Sequence, residues 1–211
     1  MIITGSHDNW KSNQFLTYTI TDDLGLSINY KGKSYLDLVP KQEFSSKSYY
    51  NEGVSGYRNN KHYIRQFYLN VLKDLDPEKV YRDLDFSVLL SYEDNMELSN
   101  RHIVAAWLEL FLDVQIREAK IDNNRIVFID KPRYIKDYLE EFIINSTKMK
   151  GFKSLRALYL FEKANKMEEI SQQVEKEYGM VYNGYRRVIN GLREEAQEIE
   201  CKGKNKVLSI I

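Results

Sequence analysis

Apolar and polar positions follow three successive patterns along this chain. The first third is punctuated and strand-like. MIIT at 1–4 and FLTYTIT at 15–21 carry β-branched and aromatic residues in short runs, and Gly25, the KGK around Gly32, Pro40 and the NEGVSG stretch at 51–56 break the remainder of this third into short pieces. From about Asn59 the period lengthens. In NKHYIRQFYLNVLKDL, Tyr63, Ile64, Phe67, Tyr68, Val71, Leu72 and Leu75 recur at three- and four-residue spacing, which predicts one apolar helical face. Asp76-Pro77 ends that helix and opens a short second one, with Asp76 as cap and Pro77 in the first helical position. FSVLLSY at 86–92 is a continuous apolar run of strand length, as a strand buried on both faces requires. A polar loop, 93–98, then leads into a helix from about Asn100 to Leu112, in which Trp107 and Phe111 are core positions. VQIREAKI and RIVFID predict two more strands. Strand, helix and strand in that order form a parallel β-α-β unit with a right-handed crossover.

After Pro132 the pattern is helical throughout. RYIKDYLEEFIINS places Tyr134, Ile135, Tyr138, Leu139, Phe142 and Ile143 on one face. FKSLRALYLFEKA, KMEEISQQVEKEYG and VYNGYRRVINGLREEAQEI predict three further helices, the second ending at Gly179 as a helix C-terminus does. The last two are candidates for a helix-turn-helix-like pair presenting Arg186, Arg187 and Arg193, although Glu194, Glu195, Glu198 and Glu200 come directly after and repel phosphate. The tail KNKVLSII is a candidate edge strand. The expected fold class is α/β: a Rossmann-like, mostly parallel sheet with flanking helices over residues 1–146, plus a C-terminal helical extension over 147–211.

Composition narrows the chemistry. The 211 residues are 43% hydrophobic and 29% charged, as in a globular protein, and no apolar run approaches the length that spans a bilayer. Without a basic-then-apolar start the expected location is cytoplasmic, and no membrane partner is expected. A single cysteine, Cys201, rules out an internal disulfide and Cys-rich zinc sites. His7, His62 and His102 lie far apart with no metal-ligand spacing, and no Gly-rich phosphate fingerprint is present, so neither a metal nor a cofactor is expected. Basic and acidic residues balance at 31 each, which removes the overall basic footprint of many nucleic-acid binders. The excess of bases sits in the last part of the chain, with 13 basic against 9 acidic residues from Ser146 onward.

Open parallel sheets hold ligands at the carboxyl ends of their strands. FSVLLSY ends in Tyr92-Glu93, and the loop leads into Ser99-Asn100-Arg101-His102. Ser99 is a natural N-cap, and the free backbone N–H groups of the helix start, with the Arg101 guanidinium, suit a phosphate or carboxylate. Arg101 equally suits pairing with Glu93 or Glu97. Glu93 is the candidate acid/base or sugar-hydroxyl acceptor, and His102, inside the helix, is a second candidate with a buried hydrogen-bonded role as its alternative. Ser6 and His7, just after the MIIT strand, reach the same crevice if both strands share one sheet. The Ser6-His7-Asp8 run is not a triad, since adjacent side chains rarely converge.

SVLLSYEDNMELSNRHIVAAWLELFLDVQIRE, residues 87–118, resembles the signature region of the uncharacterised family catalogued as domain of unknown function 488. That region has an apolar strand, Cys-Tyr-Glu, a short loop, Cys-His-Arg, and an apolar helix leading to a Val-x-Glu strand. The upstream TYTIT, YKGKSYLDLVPKQEF and LDPEKVYRDL also resemble longer members, so the likeness covers roughly residues 1–120. It implies an α/β, Rossmann-like fold and no particular activity. The family's tyrosine, glutamate and arginine fall on Tyr92, Glu93 and Arg101. Ser91 replaces the first cysteine, and Ser99-Asn100 replaces Cys-His. A cysteine at a helix N-terminus is an activated thiolate; serine there is not, and asparagine carries no proton.

The sequence therefore predicts a protein that binds a phosphate-bearing ligand, a nucleotide or nucleic acid, at a catalytically eroded strand-loop-helix crevice formed by Tyr92, Ser99, Asn100, Arg101, Ser6 and His7. The alternatives are a nucleotide-directed hydrolase or transferase using Glu93 and Arg101, and a phage- or defence-related interaction module. A homodimer through the C-terminal helices is a candidate assembly.

Overall fold

The computed structural model describes residues 1–10, 15–21, 32–40, 56–94, 97–146, 152, 154–179 and 183–208. Gly25 and most of NEGVSG lie outside them. The chain divides into two compact units, Met1–Phe142 and Ile143–Ile211.

The first unit is built on six strands: β1 (Ile3–Ser6), β2 (Leu16–Thr19), β3 (Lys33–Ser34), β4 (Ser87–Ser91), β5 (Arg117–Asp122) and β6 (Arg125–Ile129). Their order across the sheet is β3-β2-β4-β1-β5-β6. The first five run parallel and β6 turns back antiparallel along β5. This is the α/β, Rossmann-like arrangement. The unit formed by β4, the helix after it and β5 steps over β1, which lies between the two strands and parallel to both. The chain leaves β2 towards β3 at one edge and leaves β4 towards β5 on the other side. The direction of winding thus changes between two neighbouring strands, the usual place for a ligand crevice.

The apolar patterns explain the layers. All five residues of β4 are buried, as its unbroken run predicts for a central strand. Ile3, Trp10, Val88, Leu90 and Ala119 form a core on one face of the sheet. Thr4, Ser91 and Glu118, one residue out of phase, project from the other face. Against the latter lies α3 (Asn100–Leu112), buried from Asn100 through Phe111. The helices before it are α1 (Gly56–Phe67), extended by a wider turn over Tyr68–Leu72, and α2 (Pro77–Asp83). Asp76 caps α2 through the N–H groups of Glu78 and Lys79, with Pro77 at its start. Phe86 differs from its predicted place in the buried run. It is 77% exposed with φ of +57°, because the turn after α2 uses it to aim the chain into β4.

The region from residue 134 onward holds α4 (Tyr134–Ser146), α5 (Leu155–Tyr178) and α6 (Asn183–Leu208). Two of the three predicted helices are one: no glycine or proline separates Ala164 from Lys166, Ala164 is buried, and α5 runs through. The helix ends at Gly179 with φ of +63°. Helices α5 and α6 lie antiparallel, tied by Ser154 N–H to Glu200, Arg156 to Glu195, and Arg193 to Asn165 and Glu168. They form a long hairpin rather than a helix-turn-helix, and Arg193 spends its guanidinium on bonds across to α5. The tail to Leu208 continues α6 where an edge strand was expected. Among the described residues no helix is long and apolar enough to cross a membrane.

Candidate functional site

Four segments converge at the carboxyl ends of β1, β2 and β4. Parallel pairing sets Ser6 beside Ser91, and the His7 N–H donates to the Ser91 carbonyl at 3.0 Å. His7 then reaches across β4: its Nε2 lies 3.0 Å from Thr19 Oγ1, which is 3.1 Å from Thr21 Oγ1. The His7 ring packs on Tyr92 with centroids 4.6 Å apart. Ser6, His7 and Tyr92 are thus brought to the loop that begins α3, as the shared sheet requires.

Arg101 organises that loop. It is fully buried, and each guanidinium nitrogen is engaged. Nε donates to Glu118 Oε1 at 3.0 Å and Nη2 lies 2.9 Å from the same oxygen. Nη1 donates to Ser91 Oγ at 2.6 Å, to the Glu93 carbonyl at 2.9 Å and to Ser99 Oγ at 3.0 Å; Nη2 also reaches the Asp94 carbonyl at 3.2 Å. The expected partners Glu93 and Glu97 are replaced by Glu118, with Glu93 contributing its backbone oxygen. The guanidinium has no donor left for a ligand, so its role as a direct phosphate clamp is corrected to one of shaping the loop and supplying positive charge behind it.

Ser99 holds the N-cap position with extended backbone, but its hydroxyl makes no cap bond. It turns instead to Ser91 Oγ, 2.7 Å away, and to Arg101. Asn100, the first helical residue, is buried and accepts from Tyr63 Oη at 2.5 Å. The start of α3 is therefore buried without a side-chain cap.

Glu118 is the residue that sequence reasoning missed. It accepts from Thr4 Oγ1 at 2.5 Å besides Arg101. Burial pushes its carboxyl up, but His102, the Arg101 charge and Thr4 outweigh that and hold it below the ordinary carboxylate value. The signal was a single acid within the apolar run VQIREAKI. Thr19 and Thr21 carried none.

His102 turns away from the crevice. Its Nδ1 is 3.0 Å from the Glu97 carbonyl. Nε2 lies 3.3 Å from Glu118 Oε2, the contact through which His102 helps hold that carboxyl down. Burial lowers the His102 pKa, with Arg101 acting in the same direction and Glu118 against it. A buried structural ring is the role its surroundings fit. His7 is pushed down to about 4, first by burial and then by the Arg101 charge, with Asp8 opposing.

A cleft of about 920 Å³ opens elsewhere, between α3, β5, β6 and the start of α4, lined by His102, Glu109, Ile116, Glu118, Lys131 and Lys136. Glu109 there accepts from the Ile116 N–H at 2.8 Å and from Lys131 at 2.6 Å. This cleft does not coincide with the carboxyl ends of β1, β2 and β4. Glu109 and Lys131 neutralise each other there, as Glu118 and Arg101 do behind the start of α3, which has no side-chain cap. Among the described residues no group of three or more His, Cys, Asp or Glu side chains is placed to hold a metal. No family model, curated protein or solved structure matches the chain.

Proposed function

We propose that the crevice at the ends of β1, β2 and β4 binds a phosphate-bearing ligand, a nucleotide or a nucleic-acid phosphate, and binds it without turning it over. The observation that carries this reading is the buried, uncapped start of α3. The first N–H groups of a 13-residue helix need acceptors, and the hydroxyl best placed to serve them is committed to Ser91 and Arg101. An anion supplies both the acceptor and the charge that the helix dipole favours. The Arg101 charge that depresses His7 acts in the same sense. Ser99 and Asn100, standing where a thiol and an imidazole would be needed, offer neither a nucleophile nor a proton carrier. We also read the chain as a divergent relative of domain of unknown function 488. That reading rests on Tyr92-Glu93 and Arg101 meeting at one loop, where Arg101 bonds the Glu93 carbonyl.

Asn100 provides the test. Proline is favoured at the first helical position, and Ser99, at φ −143° and ψ 151°, already has the backbone that a proline after it demands. Asn100→Pro removes one N–H donor and the amide side chain; Asn100→Ala removes the side chain alone. Titrations with inorganic phosphate, nucleoside phosphates and short DNA and RNA should show binding retained in Asn100→Ala. Asn100→Pro should weaken it about ten- to a hundredfold, as loss of one charge-assisted hydrogen bond of about 1.5–3 kcal/mol implies. Equal affinity in the two variants, or no binding by the wild type, refutes the site.

A further inference from the structure

The two edges of the sheet are built differently. At one edge β3 has two exposed residues, Lys33 and Ser34, a short strand carrying the charge that discourages pairing. At the other, β6 is five residues long, RIVFI, with no proline and no lysine. Val127 is 37% and Phe128 44% exposed, one on each face of the sheet. Among the described residues β5 is the only strand paired with it.

The hairpin turn decides which backbone groups are open. Asn123 and Asn124, at φ of +48° and +59°, form a two-residue turn closed by the pair Asp122 and Arg125. In such a hairpin the closing pair is hydrogen-bonded and pairs alternate thereafter. Arg125, Val127 and Ile129 therefore bond towards β5, while Ile126 and Phe128 turn their N–H and C=O groups outward.

We propose that β6 is a homodimerisation edge, pairing antiparallel with β6 of a second copy about a two-fold axis at Val127. In that register Ile126 of one chain faces Phe128 of the other, so the outward backbone groups bond to one another twice over. Val127 meets its own copy in the closer, non-hydrogen-bonded position, and Ile126 with Phe128 forms a β-branched–aromatic cross-strand pair. Charge agrees with the direction. The strand begins with exposed Arg125 and leads into exposed Asp130, so antiparallel pairing brings the basic start of each strand to the acidic end of its partner. A two-fold arrangement is self-complementary and closes after two copies, which selects a dimer over a fibre.

Sedimentation equilibrium of the full chain at micromolar concentration tests this. The wild type should have twice the 25.0 kDa chain mass. Phe128→Pro removes an outward N–H without breaking the hairpin, and Val127→Lys places a charge at the two-fold axis; each should give the single-chain mass with an unchanged far-UV circular dichroism spectrum, and a melting temperature lowered by loss of the dimer. Should Phe128→Pro fail to fold, Val127→Lys gives the reading. A wild type of single-chain mass overturns the proposal. So does a dimer that survives both substitutions, including one lost instead on Val188→Glu, which would put the contact on α6.

Discussion

Glu118→Gln changes one oxygen for an amide nitrogen and nothing in shape, yet it should be among the most damaging single substitutions in the first unit. Among the described residues the carboxylate is the only anion bonded to the buried Arg101 guanidinium, through contacts of 3.0 and 2.9 Å to Oε1. Hydrogen bonds to charged partners contribute about 1.5–3 kcal/mol each. Removing one member of a buried ion pair costs about 3–5 kcal/mol, because the charge left behind remains desolvated. We expect a loss in that range, or roughly 6–20 °C in melting temperature at about 2–4 °C per kcal/mol. Both tryptophans, Trp10 and Trp107, are buried within Met1–Phe142. Their fluorescence during urea unfolding reports this unit alone. A cost below about 1 kcal/mol would mean that Arg101 finds its compensation elsewhere. The account of the network would then be wrong.

The pH dependence takes its sign from the same residues. His7 and His102 have pKa values lowered in the fold, His7 to about 4, so unfolding takes up protons once pH falls below the ordinary 6.5. Glu118, held below its ordinary value, contributes stability that is lost as pH falls through its folded pKa. Urea midpoints measured from pH 7.5 down to 4.5 should therefore fall steadily below 6.5, and His7→Gln should flatten the curve; a midpoint rising with acid contradicts the assignment. Gly5→Ala puts a methyl group 3.1 Å from the Ala119 carbonyl oxygen and 3.4 Å from the Trp10 ring, and should cost about 1–3 kcal/mol by the same unfolding assay. Asp76→Ala removes the cap of α2 and should cost about 0.5–2 kcal/mol; no change would make that cap dispensable.

What the sequence revealed depended on how local the cause was. The Asp76-Pro77 start, the Gly179 stop and the limits of α3 are set by neighbours in the chain, and the structure has them where the residues indicate. The continuous run of β4 told of burial on both faces, and the meeting of His7 with the β4 loop was implied once the two strands shared a sheet. Phe86 was misread because an apolar side chain in an apolar run gives no sign of a left-handed turn. The partner of Arg101 was misread for another reason. Glu93 and Glu97 are close in sequence, but Glu118 arrives from β5, and only the strand order places it under the guanidinium. Ser99 shows the same limit: its cap position was legible, and the diversion of its hydroxyl to Ser91 was not.

The central claim is that an anion completes the start of α3, and the amide resonances of Asn100 and Arg101 test it most directly. In a titration of the isotope-labelled protein with inorganic phosphate and a nucleoside triphosphate, these two amides and the His7 ring should shift first and furthest, saturating together. Shifts confined to Lys131, Lys136 and the cleft beneath them, with the Asn100 and Arg101 amides unmoved, would contradict it.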